Sequence, residues 1–163
     1  MKWFNNPKTL EELKKQYKAL ALKHHPDKGG NLSNMKAINA EYDNLFKRLK
    51  NVHETVDGNT YTTHNTSGET PDDFKKVISS LITLDGIQIE ICGSWIWLTG
   101  NTYSHRDKLK NLNFRFSRSK KAWYYHNDGY RKTSHKSFTL EQIRSLYGSE
   151  VVQSKPRLRL TIV

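Results

Sequence analysis

The hydrophobic period of this chain changes at Gly86, and that change decides what it can fold into. Before Gly86, apolar residues recur every three or four positions, the spacing of amphipathic helices. After it, GIQIEIC alternates Ile87, Ile89 and Ile91 with Gln88, Glu90 and Cys92, the period-two pattern of a strand. Gly93-Ser94 reads as a tight turn and WIWLT as the returning strand, so residues 87–99 are expected to form a hairpin. The expected fold is two-domain: an all-α N-terminal helical hairpin, then a small α+β domain with antiparallel strands.

Within the N-terminal part, Thr9 followed by Glu12 has the spacing of a capping box. Leu13, Tyr17, Leu20 and His24 then fall on one helical stripe. Pro26 and the Gly29-Gly30 pair end that helix. A second helix is expected from about Ser33 to Leu49, with Met35, Ile38, Tyr42, Leu45, Phe46 and Leu49 on its apolar face. Joined by a short polar loop, the two predict an antiparallel hairpin. Thr70-Pro71-Asp72-Asp73 opens a further helix with a cap residue, a first-turn proline and first-turn acids. Beyond the β-hairpin, the pattern predicts a short helix near Ser104–Leu112. Strands follow near Phe114–Ser117 and Ala122–His126, and a last helix is expected from Thr139 to Tyr147, stopped by Gly148.

Charge divides the chain in the same way. Residues 1–51 hold eleven Lys/Arg against five Asp/Glu, residues 52–101 two against seven, and residues 102–154 eleven against four. Between the basic blocks, NVHETVDGNTYTTHNTSGETP lacks apolar periodicity and cannot offset its ordering entropy by burial. The expected division is therefore 1–51, a linker at 52–71, a basic α+β domain at 72–154, and a C-terminal tail or edge strand at 155–163. Basic blocks meet acidic protein surfaces or nucleic acid. The single cysteine, Cys92, excludes an internal disulfide framework and a cysteine-rich zinc site. With no apolar leader and no run long enough to span a bilayer, the expectation is a soluble, cytoplasmic protein without a membrane partner.

The strongest signal is KHHPDKGG, Lys23 to Gly30. A His-Pro-Asp triplet alone can be just a helix C-terminus with a proline stop. Here it follows a basic helix and precedes the helical run MKAINAEYDNLF. Lys14 and Lys18 lie about 40° apart on the helical wheel, beside the apolar stripe. They are expected to stay in water facing an acidic partner, where such charges steer association. Lys15 and Lys23 are expected to solvate the helix, and His24 to pack.

TLEELKKQYKALALKHHPDKGG followed by MKAINAEYDNL resembles helices II and III of a J domain, the Hsp70 co-chaperone module, over about residues 3–50. The HPDKGG form is similar to J domains carried by viruses and mobile elements. The resemblance implies a protein that is not an enzyme but docks on ATP-bound Hsp70 and triggers its ATP hydrolysis. On the matching positions it implies Hsp70 contacts from His25, Pro26 and Asp27, with Lys14 and Lys18 as the basic docking face. Two departures stand out. Only MKWFNNPK precedes the first helix, so Trp3 and Phe4 are expected to stand in for a fuller helix I; and Ala19 occupies a position where many relatives are basic.

In the C-terminal part, residues 102–137 carry ten Lys/Arg against two Asp. Lys120, Lys121, Arg131 and Lys132 are interleaved with Trp123, Tyr124, Tyr125 and Tyr130. Cations with exposed rings suit a single-stranded nucleic acid, and a client-protein groove would use the same residues. Equally, Trp123 and Tyr125 can point inward on an alternating strand. The alternative to the co-chaperone is thus a nucleic-acid-binding protein of a phage or mobile element with an accessory J domain. No histidine pair has metal-site spacing, and no nucleophile elbow or phosphate loop occurs. No cofactor, metal or catalytic residue is expected.

Overall fold

The computed structural model describes residues 2–54, 59–62, 70–126, 138–147 and 152–153. N-terminal helices are followed by helices and an antiparallel sheet: α1 (Leu10–His24), α2 (Leu32–Leu49), β1 (Val52–Glu54), β2 (Thr60–Thr62), α3 (Pro71–Ile82), β3 (Ile87–Cys92), β4 (Trp95–Gly100), α4 (Arg106–Asn111), β5 (Arg115–Ser117), β6 (Ala122–Tyr125), α5 (Leu140–Tyr147) and β7 (Val152–Gln153). The main sheet runs β5-β6-β4-β3-β7, each neighbouring pair antiparallel. No helix among the described residues is long and apolar enough to cross a membrane.

Helix starts follow local chemistry. Thr9 Oγ1 accepts from the Glu12 amide, but the Glu12 carboxylate reaches one residue further, accepting from the Lys8 amide at 2.6 Å. At α3 the box is complete: the Asp73 amide donates to Thr70 Oγ1, and the Thr70 amide donates to Asp73 Oδ2. Those hydrogen bonds, first from the Thr70 hydroxyl and then from its backbone, hold the Asp73 carboxyl below its ordinary range. Asn31 caps α2, starting it just before the expected Ser33. Thr139 and Gln142 exchange hydrogen bonds at the head of α5.

Two of the secondary-structure elements differ from expectation. The stretch read as a linker contributes the β1–β2 ribbon, with Val52 opposite Thr62. Strand β7, which pairs with β3 at the sheet edge, had no period-two signal in the sequence. The 155–163 tail and the stop at Gly148 lie outside the described residues.

The apolar residues of both halves form one core running from Phe4 to Trp123. At its centre Tyr17 of α1, Tyr42 of α2 and Phe74 of α3 meet with ring centroids 4.5–6.0 Å apart, a spacing at which aromatic pairs attract beyond their area burial. Burial, with the Asp43 charge adding to it, pushes the Tyr17 phenol well above its usual range, and its hydroxyl donates to Asn39 Oδ1. Helix α1 therefore touches α2 on one flank and α3 and β3 on another. The leading segment is fixed by Glu41, whose carboxylate accepts from the amides of Lys2, Trp3 and Phe4. Phe4 enters the core and Trp3 meets the edge of His24 at 5.1 Å, the packing roles expected of all three.

Candidate functional site

The His25-Pro26-Asp27 turn is built by its own backbone. His25 leaves the helix in an extended conformation, while its amide still donates to Ala21 O. Pro26 cannot continue the α1 ladder because it has no amide, and Pro26–Lys28 form a single 3₁₀ turn instead. The amides of Lys28 and Gly30 both donate to His25 O. Gly29 adopts φ +84°, and a Cβ there would meet open space. Gly30 is different: a Cβ would lie 2.1 Å from the carbonyl carbon of His24. The turn closes only because that side chain is absent.

Within the turn, His25 Nδ1 accepts from the Asp27 amide at 3.3 Å, which leaves the proton of the neutral ring on Nε2. The Asp27 carboxylate is 3.8 Å from the same nitrogen, beyond hydrogen-bond range. His25 is buried against the body of the protein, whereas Pro26 and Asp27 are exposed, the Asp27 side chain by 53%. The turn forms one wall of a cleft of about 480 Å³, with Ser79, Ser80, Thr83 and Lys108 among the residues opposite. Lys28 Nζ reaches Asp85 at 3.4 Å and ties the turn to the approach to β3.

The lysines expected to flank this turn in water are inside the protein. Lys14 is 3% exposed and Lys18 is 0% exposed. The expectation assumed one neighbour for α1, and the helix has neighbours on two flanks. Lys18 Nζ donates to the backbone carbonyl of Ile89 at 3.1 Å, and Lys14 Nζ sits 5.2 Å above the Phe74 ring. Their stems fill the gap between helix and sheet while each ammonium finds an electron-rich partner. Lys15 is half-buried and only Lys23 is exposed. Lys18→Ala is accordingly expected to cost about 2 kcal/mol, as lost packing and a lost buried hydrogen bond. Lys23→Ala should change stability by less than about 0.5 kcal/mol. Urea titrations of the two variants make the comparison, and equal small effects would put Lys18 back in solvent.

In the sheet, the inward alternative holds for two of the three aromatics of β6. Trp123 is buried in the main core beside Phe116, and Tyr125 is half-buried on the same face against Phe114. Strand alternation requires this, since residues 123 and 125 share one face and 122 and 124 the other. Neither ring stands beside Lys120, whose Nζ lies 6.0 Å over the Trp97 ring on the opposite face. Lys121 is exposed in the β5–β6 turn with φ +50°. Arg131 and Lys132 lie outside the described residues.

That opposite face holds Tyr124 of β6, one of the interleaved rings, together with three rings the sequence reading missed: Trp95 and Trp97 of β4, and His126 just beyond β6. The W-x-W spacing in SWIWLT is the signal that places two of them together. Below them Glu90, 1% exposed, accepts two hydrogen bonds from Arg144 of α5 at 2.6 and 2.7 Å. The pairing, Glu90 hydrogen bonds first, raises the Arg144 pKa against the pull of burial. Burial pushes the neighbouring Cys92 thiol up to about 11, with the Glu90 charge adding. It is therefore a protonated core residue at neutral pH and no nucleophile. No protein-family model, curated protein or solved structure matches this chain.

Proposed function

We propose that the protein is a J-domain-type co-chaperone that docks on an Hsp70 through the His25-Pro26-Asp27 turn and stimulates its ATP hydrolysis. The observation that carries this reading is the turn itself. It joins two packed helices, is locked by His25 and two glycines, and offers Pro26 and the Asp27 carboxylate to solvent. An exposed carboxylate on a rigid turn suits a bidentate contact with a partner arginine. The action is one of binding: Asp27 favours the hydrolysis-competent state of its partner by contacting it.

Residues 1–51 are the docking part in this proposal, and the basic residues 72–154 the targeting part, for a client protein or a nucleic acid. Lys14 and Lys18 take no part in the docking surface, because a partner cannot reach them past α3 and β3. Lys23, two residues before the triplet, is exposed.

The test is steady-state ATP hydrolysis by a DnaK-type Hsp70 with increasing co-chaperone. The native protein is expected to stimulate it several-fold, and His25→Gln or Asp27→Asn to return the rate to basal. Both substitutions keep side-chain volume, and circular dichroism checks that the helices persist. Undiminished stimulation by either folded variant would remove the triplet from the docking site.

A further inference from the structure

The outer face of the sheet carries an arrangement that Hsp70 docking does not use. Successive rows across the strands put Trp95 beside His126, and then Trp97 beside Tyr124, whose other neighbour is Arg115 of β5. The Trp95 and His126 centroids are 4.1 Å apart, and those of Trp97 and Tyr124 5.5 Å apart. Trp95 and Trp97 lie nearly parallel at 14°, with centroids 5.8 Å apart. Leu140 and Ile143 of α5 pack against the Cys92–Trp97–Ala122 side, while Trp95, Tyr124 and His126 stay half-buried and Arg115 exposed. The result is a ladder of rings rising from a buried floor, with cations at one border.

Two further observations bear on what the ladder meets. Trp97 is 4% exposed, yet its Nε1–H has no acceptor among the described residues. That donor lies beneath the outer rings, so Trp97 is the floor on which Trp95 and Tyr124 pack and not a ring that a base reaches. From Thr102 to His126, moreover, seven Lys/Arg stand against Asp107 alone. Arg115, Arg118 and Lys121 are exposed at the β5–β6 end of the face, and Lys120 sits over the Trp97 ring.

We propose that this face, Trp95, Trp97, Tyr124 and His126 bordered by Arg115 and Lys120, binds single-stranded nucleic acid. Bases stack on the outer rings, which any base can do through its π-face, and phosphates run along the cations. The outer rings favour a single strand over a duplex. The half-buried rings Trp95, Tyr124 and His126 offer their faces to bases, and a base must leave its duplex stack to take that contact. An acidic polypeptide would complement the charge but would leave the ring ladder without a purpose. The proposal gives the targeting part a ligand class and does not depend on the His25-Pro26-Asp27 turn.

The experiment is fluorescence-anisotropy titration of the full chain against a labelled oligothymidylate and an RNA of equal length, at several salt concentrations. Binding is expected to weaken steeply with salt. Arg115→Gln and Lys121→Gln, both surface changes, should each lower the log–log salt slope by about 0.7. Trp95→Leu and Tyr124→Leu, checked for native helix and sheet content by circular dichroism, should each weaken binding by about 10-fold or more. Binding should also quench tryptophan emission. His25→Gln should bind as the native protein does, so loss of Hsp70 stimulation and loss of nucleic-acid binding are separable. No binding at low salt would overturn the proposal. So would affinities unchanged by both ring variants, equal competition by a duplex of the same charge, or equal competition by polyglutamate.

Discussion

Gly30→Ala is expected to destabilise the protein by about 3–4 kcal/mol, and Gly29→Ala by only about 1 kcal/mol. The order reverses what backbone conformation alone would give. Gly29 is the residue at positive φ, but its Cβ direction is empty, so alanine there meets only the left-handed penalty. At Gly30 the added carbon would sit 2.1 Å from His24 C, 2.2 Å from its oxygen and 2.6 Å from its Cα. Those are backbone atoms at the end of α1 and cannot step aside like a flexible side chain. Either the last turn of α1 unwinds or the 3₁₀ turn opens, and the two amides on His25 O lose their acceptor. Urea denaturation of the two variants checks this. A Gly30→Ala protein as stable as Gly29→Ala would mean the approach to His24 is looser than described.

Arg144→Ala is expected to cost about 3 kcal/mol, the penalty of leaving a buried carboxylate without its partner. Glu90 is enclosed on β3, and Arg144, about a third exposed, is the guanidinium that grips both its oxygens. The Glu90→Leu/Arg144→Leu pair should come out near neutral, because a desolvated ion pair is only weakly better than apolar side chains of similar volume. Glu90→Leu, Arg144→Leu and the pair, compared by thermal denaturation, close the double-mutant cycle that measures the coupling. If Arg144→Ala and the double variant were equally destabilised, the loss would lie in α5 packing and not in an orphaned charge.

Much of the architecture was legible in the chain because its signals are local. Pro26, the paired glycines, Thr70 with Asp73, and the alternation of Ile87, Ile89 and Ile91 each act within a few residues, and the elements they mark formed near their expected places. What local signals could not carry was which neighbour an element meets. A helical wheel puts Lys14 and Lys18 beside the apolar stripe. Only the tertiary contact with β3 and Phe74 turns that flank inward. Likewise the interleaving of lysines with Trp123 and Tyr125 looked like a mixed surface, whereas register sends those rings one way and Tyr124 the other. The candidate turn was thus visible, and the ring ladder became visible only once β4 and β6 were paired.

The adjacent residues Tyr17 and Lys18 make different contacts. The tyrosine packs its ring at a tilt against Tyr42, whereas the lysine holds a carbonyl of the sheet. A helix committed to two neighbours cannot be exchanged as a block between chains of different ancestry, since any replacement must suit α2 and β3 together. Recombination that swaps the N-terminal third would succeed only where the incoming helix brings a long amphipathic side chain at position 18 and a ring-compatible cation at position 14. The turn that faces outward is free to track its partner, while the helix carrying it is bound to the heredity of the sheet.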